Sequence, residues 1–259
     1  MQNNVKNKIF PSIFFALILV LWEIVSRTGM LADFILPAPT KILLSLVFNF
    51  KIIYWHIAIT LFETLIGFTI SIVFAVVIAI SMDAVMSIKR TLYPILIISQ
   101  TLPIIILAPL FIIWFGYGYL PKIIIVILIC FFPICINLLN SLAASDREFI
   151  DLLRSMGANK KHIYKFVKIP SAMPGFFSGL KIAATYSIMG ATIGEWVGGK
   201  NGLGVYMIRA KQSFATDRVF AAIIIITALS IIFLKIIEFA EKKHMPWLRI
   251  SADLFIEET

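Results

Sequence analysis

The chain is short of charge and of the residues that chemistry at a site usually requires. Asp, Glu, Lys and Arg make up 14% of its 259 residues, hydrophobic residues 60%, and the mean hydropathy is +0.97. So little charge cannot cover a soluble surface, which excludes a soluble globular domain and leaves an integral membrane protein. There are two cysteines, Cys130 and Cys135, inside one apolar run. Their spacing is not CxxC and no histidine lies near them, so a metal or redox pair is excluded and core or lipid-facing thiols remain. The three histidines, His56, His162 and His244, fall in different segments without acidic neighbours. No catalytic or metal-binding cluster can be built from them.

Acid is scarcer than base: 14 Asp and Glu stand against 23 Lys and Arg, a formal charge of +9. The basic residues sit in short loops with no aromatic-rich soluble platform around them, which argues against nucleic acid as a partner. Membrane topology explains the excess better. Apolar residues dominate six segments, at about 9 to 25, 57 to 80, 92 to 114, 121 to 140, 175 to 197 and 219 to 240. They leave room for a single membrane domain over 1–259, with a core at about 57–240. The first run follows Lys6 and Lys8 but ends at Trp22 and Glu23 without a small-x-small cleavage site, so it is expected to be a retained span rather than a signal peptide.

An even number of spans places both termini on one side of the membrane. Lys and Arg gather in the N-terminus, the 81–90 loop, the 141–174 loop and the tail from Lys235, which by the positive-inside rule makes that side the cytoplasm. Trp114 and Trp247 suit interfacial anchors. Prolines interrupt the spans: Pro94, Pro103 and Pro109 in the third, Pro121 and Pro133 around the fourth, Pro170 and Pro174 leading into the fifth. Kinked or broken helices are expected there, whether as ordinary kinks in packed helices or as the lining of a pathway.

The longest basic interruption, residues 145–170, has helix punctuation of its own. Ser145-Asp146-Arg147-Glu148 is a capping-box pattern that starts a helix. Phe149, Leu152, Leu153 and Met156 follow at i, i+3, i+4 and i+7 and form one apolar stripe, while Asp151, Arg154 and Ser155 point elsewhere. Gly157 suits a left-handed cap, Asn159 the start of a second helix carrying Ile163, Phe166 and Val167, and Pro170 its end. The pattern predicts a helix-turn-helix with an apolar anchor and a charged rim.

The spacing of Asp151, Gly157, Val167, Ile169 and Pro170 resembles the EAA loop of binding-protein-dependent ABC importer permeases. Asp151 stands where that motif has Glu, and Leu152 and Leu153 where it has two alanines. LPAPT at 36–40, TLFETLIGF at 60–68, LAPLFIIWFGYG at 107–118 and GEWVGGKNGLG at 194–204 are similar, in order and spacing, to blocks of the sulfonate, taurine, nitrate and thiamine-precursor permeases. The resemblance implies an all-α polytopic fold of the type I ABC importer, with six transmembrane helices in the plasma (inner) membrane of a prokaryote. It implies ATP hydrolysis on separate ATPase subunits that grip Asp151, Leu152, Leu153, Met156, Gly157, Ala158, Ile163 and Pro170. It further implies cargo delivered by an extracytoplasmic binding protein, and a permease homodimer, since one coupling loop meets one ATPase subunit.

Gly194 to Lys200 reads as the start of a phosphate-binding loop, but Asn201 replaces the Ser or Thr and no strand precedes it, so no cofactor, nucleotide or metal is assigned to this chain. The glycines are read as a sharp turn closing the fifth span. Ionisable residues within spans cost about 2.5 to 3.5 kcal/mol and so face protein or water. Glu63 and Glu195, with Gln100 and Trp196, are candidates to line a path for a polar solute; Glu63 bonding a neighbouring helix is the plainer role. The stretch from Gly202 to Phe220 is too charged to cross and is expected to lie in plane at the outer surface, where Arg209, Lys211 and Arg218 could meet acidic residues of the binding protein. The run QSFATDRVFAAI at 212–223 leans the substrate toward thiamine-precursor pyrimidines, with sulfonates, taurine and nitrate behind. No residue is assigned a catalytic role. An ion-coupled secondary transporter using Glu63 and Glu195 is the rival reading, but no internal repeat supports it.

Overall fold

Apolar runs in a bilayer must satisfy their backbone groups internally, so helix is the available solution. The computed structural model describes residues 2–29 and 32–245, with side chains placed from Ile13, and among them there is no strand. Among the described residues eleven α-helices follow one another: α1 (Gln2–Arg27), α2 (Pro39–Phe48), α3 (Phe50–Ala84), α4 (Met86–Thr101), α5 (Ile104–Phe115), α6 (Leu120–Ala143), α7 (Arg147–Ser155), α8 (Lys160–Ile163), α9 (Ile169–Gly198), α10 (Leu203–Gln212) and α11 (Thr216–His244). Among the described residues α3, α6 and α11 are long and apolar enough to cross a membrane, and α4 with α5 makes a fourth crossing if the bent pair counts as one. α1 and α9, at 26 and 30 residues, have the length for the remaining two of the expected six. Trp247 lies outside the described residues.

α9 is less apolar than α3 and α6 and runs through the interior, against α6, α11, α3 and α10. Gly175, Gly179, Ala183 and Ser187 recur every four residues on it, and this row of small side chains lets α6 approach closely. A Cβ on Gly179 would sit 2.7 Å from the carbonyl oxygen of Pro133 in α6. The core between them holds Cys130, Cys135, Leu138, Leu139, Phe177 and Leu180, so both cysteines are buried structural thiols. α11, by contrast, turns Ile223, Ile224, Ile231, Ile232, Ile236 and Phe239 outward. That exposed aliphatic face suits lipid.

Four boundaries differ from the sequence expectation, each for a local reason. The second span is 35 residues and begins at Phe50, so at 1.5 Å per residue it is about 50 Å long and extends beyond a hydrocarbon layer of about 30 Å. The third is no single span: it breaks at Leu102-Pro103 and turns through 102° into α5. Pro103 is the N-cap of α5, where its missing N–H costs nothing, whereas Pro94 and Pro109 are absorbed inside α4 and α5. The in-plane segment is shorter than expected, since Ser213 to Ala215 turn the chain and α11 starts at Thr216. Pro170, finally, does not stop its helix. A π-helical turn, Tyr164–Lys168, closed by the Ile169 N–H on the Tyr164 carbonyl, widens the helix just before the proline and lets α8 run on into α9.

Candidate functional site

The 145–170 loop folds as two capped helices. Asp146, not Ser145, is the N-cap of α7: its carboxylate accepts the Glu148 N–H at 2.8 Å. Ser145 instead donates its hydroxyl to the Leu142 carbonyl at 3.0 Å, closing the end of α6, so the helix has a single Asp cap one residue later than the sequence pattern places it, and the expected capping box does not form. Gly157 has φ +80°, its N–H donates to the Arg154 carbonyl, and the Ala158 N–H donates to that of Leu153. These two bonds form a Schellman cap. Asn159 then accepts the His162 N–H at 3.0 Å and opens α8.

α7 divides its side chains between two faces. Ile150 is buried, whereas Phe149, Leu152 and Met156 are 60%, 55% and 73% exposed and touch no core. Leu153 and Ala158 are half-buried, and Asp151 pairs with Arg154 at 3.1 Å in full contact with solvent, an interaction that adds little stability. Ile163 is buried against the bundle, not free for a partner, while Phe166 is exposed. Pro170 is exposed too. The second helix is fastened to the membrane core: Asp83, at the end of α3, accepts Lys168 Nζ at 2.6 Å and the Tyr164 hydroxyl. Burial, and then the Asp83 carboxylate, push the Tyr164 phenol above its ordinary pKa, which keeps it a donor.

At the opposite ends of α3 and α9 a buried polar clasp holds α3, α6, α9 and α10 together. Lys122, from the first turn of α6, donates to Glu63 Oε1 at 2.6 Å. Glu195 accepts the Thr60 hydroxyl at 2.6 Å and the Gly204 N–H at 2.6 Å. The Leu203 N–H donates to Thr60 Oγ1 and the Gly202 N–H to His56 Nδ1, each at 2.9 Å. Three successive amides at the start of α10 thus end on α3 and α9 side chains, with a carboxylate at the positive end of the helix. Gly202 has φ +121°, and a Cβ there would lie 2.1 Å from the Glu195 carboxyl carbon. Only glycine fits.

Glu63 and Glu195 are therefore brought together, but as the fully buried pegs of a structural joint rather than along an open surface. Gln100 lies exposed in the last turn of α4, on another element, and Trp196 is 41% exposed. Arg209, Lys211 and Arg218 are all exposed, on α10 and the start of α11, with Arg209 also donating to the Lys200 carbonyl at 2.9 Å. Thr60, Lys122, Asp83, Tyr164 and Lys168 are not among the residues the sequence points to, and His56, scattered from the other histidines in sequence, is an acceptor in the clasp. Lys122 carried the one available sign: a lysine inside an apolar run must find an anion.

Residues 71–244 match the family model described as the binding-protein-dependent transport system inner membrane component. The formylaminopyrimidine transport permease protein ThiX of Halalkalibacterium halodurans is 35% identical over 92% of this chain and 95% of its own length. The putative aliphatic sulfonates transport permease protein SsuC of Bacillus subtilis is 26% identical over 90% and 85%. In fold, the chain is similar to the crystal structure of an amino acid ABC transporter with histidines, at a TM-score of 0.62 and 19% identity over 77% of this chain and 97% of that one. The family match over about two thirds of the chain, the coupling loop included, with a relative so similar along nearly its whole length, shows that this chain belongs to the inner membrane permeases of binding-protein-dependent ABC transport systems.

Proposed function

We propose that this chain is the pathway-forming subunit of an importer in a prokaryotic plasma (inner) membrane, one domain with both termini cytoplasmic, paired with a second copy. ATPase subunits drive it, and an extracytoplasmic binding protein supplies it. The observation that carries this reading is the exposed stripe of Phe149, Leu152 and Met156 on a capped helix of which Ile150 alone is buried. Such a stripe is costly in water and suits a cleft on a soluble partner. α8, the π-turn and α9 form one continuous rod from that loop to the clasp, so movement at α7 reaches α10, whose last turn carries Arg209 and Lys211 and which, with Arg218 in the first turn of α11, would receive the binding protein. No residue of this chain is given a catalytic role, and ATP belongs on the partner.

For the cargo, the reading is an aminopyrimidine of the thiamine-precursor kind, supported by the similarity to a formylaminopyrimidine permease over nearly the full length; a sulfonate ranks second. The test is uptake by proteoliposomes holding this chain with its cognate ATPase and binding protein. Labelled formylaminopyrimidine should accumulate with ATP and resist competition by excess taurine. Accumulation of taurine but not of the pyrimidine would refute the substrate assignment while leaving the importer intact.

A further inference from the structure

α7 has a second face, opposite the exposed stripe. Arg147, Ile150, Asp151 and Arg154 recur at helical spacing along it and line a cavity of about 840 Å³ between α7, α8, the end of α6 and the junction of α3 with α4. Five cations reach this cavity from four segments: Lys89 on α4, Arg147 and Arg154 on α7, Lys160 on α8 and Lys168 on the π-turn. The two acids that line it are already engaged, Asp83 by Lys168 and Asp151 by Arg154. Lys89, Arg147 and Lys160 have no acidic partner among the described residues. The floor is of another character, formed by Met82, Leu142, Ile150, Ile163 and the ring of Tyr164.

We propose that this cavity binds a phosphate-bearing organic anion, with the phosphate between Lys89, Arg147 and Lys160 and an apolar or planar body against the floor. A guanidinium and two ammonium groups suit a phosphate's charge and its many acceptor oxygens. The volume is that of a pocket for a whole small molecule rather than a single ion. Its position adds a consequence: a ligand here lies between α7 and the bundle, so occupancy stiffens the lever that the transport reading would move. The binding claim itself does not rest on that reading, and its test needs no transport.

The source of the phosphate can be soluble or a lipid headgroup, and two arms separate them. In the first, the full chain purified in neutral detergent is titrated by calorimetry with adenosine monophosphate and with adenosine. In the second, native mass spectrometry counts phosphatidylglycerol retained by the chain from mixed vesicles of phosphatidylglycerol and phosphatidylcholine. A soluble ligand site binds adenosine monophosphate and not adenosine, and Arg147→Ala or Lys89→Ala weakens that binding about tenfold, as loss of one charge-assisted hydrogen bond requires. Arg147→Lys, which keeps the charge, retains most of it. A lipid site shows no nucleotide binding but a retained phosphatidylglycerol that the same alanine variants release. The proposal is overturned if adenosine binds as well as its monophosphate, if the alanine variants bind either probe as the wild type does, or if neither probe binds.

Discussion

Gly157 and Lys122 show two ways in which one residue can matter here. A Cβ on Gly157 would meet nothing within 4 Å, so the constraint is the positive φ itself, worth about 1 to 2 kcal/mol against an ordinary side chain. Gly157→Val should therefore leave the chain folded but reshape the turn between α7 and α8, abolishing substrate-stimulated ATPase activity in the reconstituted complex; Gly157→Asn, which tolerates the left-handed region, should retain it. Normal stimulation in Gly157→Val would sink that role. Lys122 is the reverse case, a matter of burial and charge. Lys122→Met leaves the Glu63 carboxylate buried without its cation, a loss on the order of 3 to 5 kcal/mol. The melting temperature in detergent should drop sharply, and Glu63→Gln combined with Lys122→Met should recover much of the drop; equal melting of the single and double variants would show that the pair does not act as a unit. The sequence supplied the left-handed glycine because its place after a helical stripe is local information. It did not supply the partner of Glu63, since the two residues are 59 positions apart and only tertiary packing joins them.

Among the elements, the loop from Ser145 to Pro170 was the most legible part of the chain. Its caps at Asp146, Gly157 and Asn159 are written within a few residues of where they act, and the error at Ser145 is a shift of one position. Pro170 does not end its helix because a proline removes one backbone donor and crowds the preceding turn without always breaking it, and the widened π-turn just before it accommodates the ring. The broken third span was foreseen in kind from its prolines, but which of Pro94, Pro103 and Pro109 would carry the 102° turn depended on packing. α7 gives the sharpest prediction at this scale. Leu152 is 55% exposed, so Leu152→Glu should not disturb folding, yet it places a charge in the middle of the stripe. Co-purification with the ATPase should fall to background while yield and melting temperature stay at wild-type values. Undiminished co-purification would show that the ATPase is held elsewhere.

At the scale of the whole molecule, low charge and long apolar runs pointed to a membrane protein, and the order of its sequence blocks pointed to the family that the match over residues 71–244 shows. The stacking of α9 within the bundle was hidden, because Gly175, Gly179, Ala183 and Ser187 read as a weakly apolar span until α6 is seen lying against them. That continuous rod, fastened by Asp83 near the loop and by Glu195 at the clasp, makes α7 and α10 two ends of one mechanical element. The central claim is that energy enters this chain through α7 from a partner's ATP. The most direct measurement is solute uptake into proteoliposomes containing the chain, a cognate ATPase and a cognate binding protein, with ATP or an ion gradient supplied separately. Uptake that requires ATP and both partners, and is indifferent to proton and sodium gradients, is the predicted result; uptake by the chain alone under an ion gradient would contradict it.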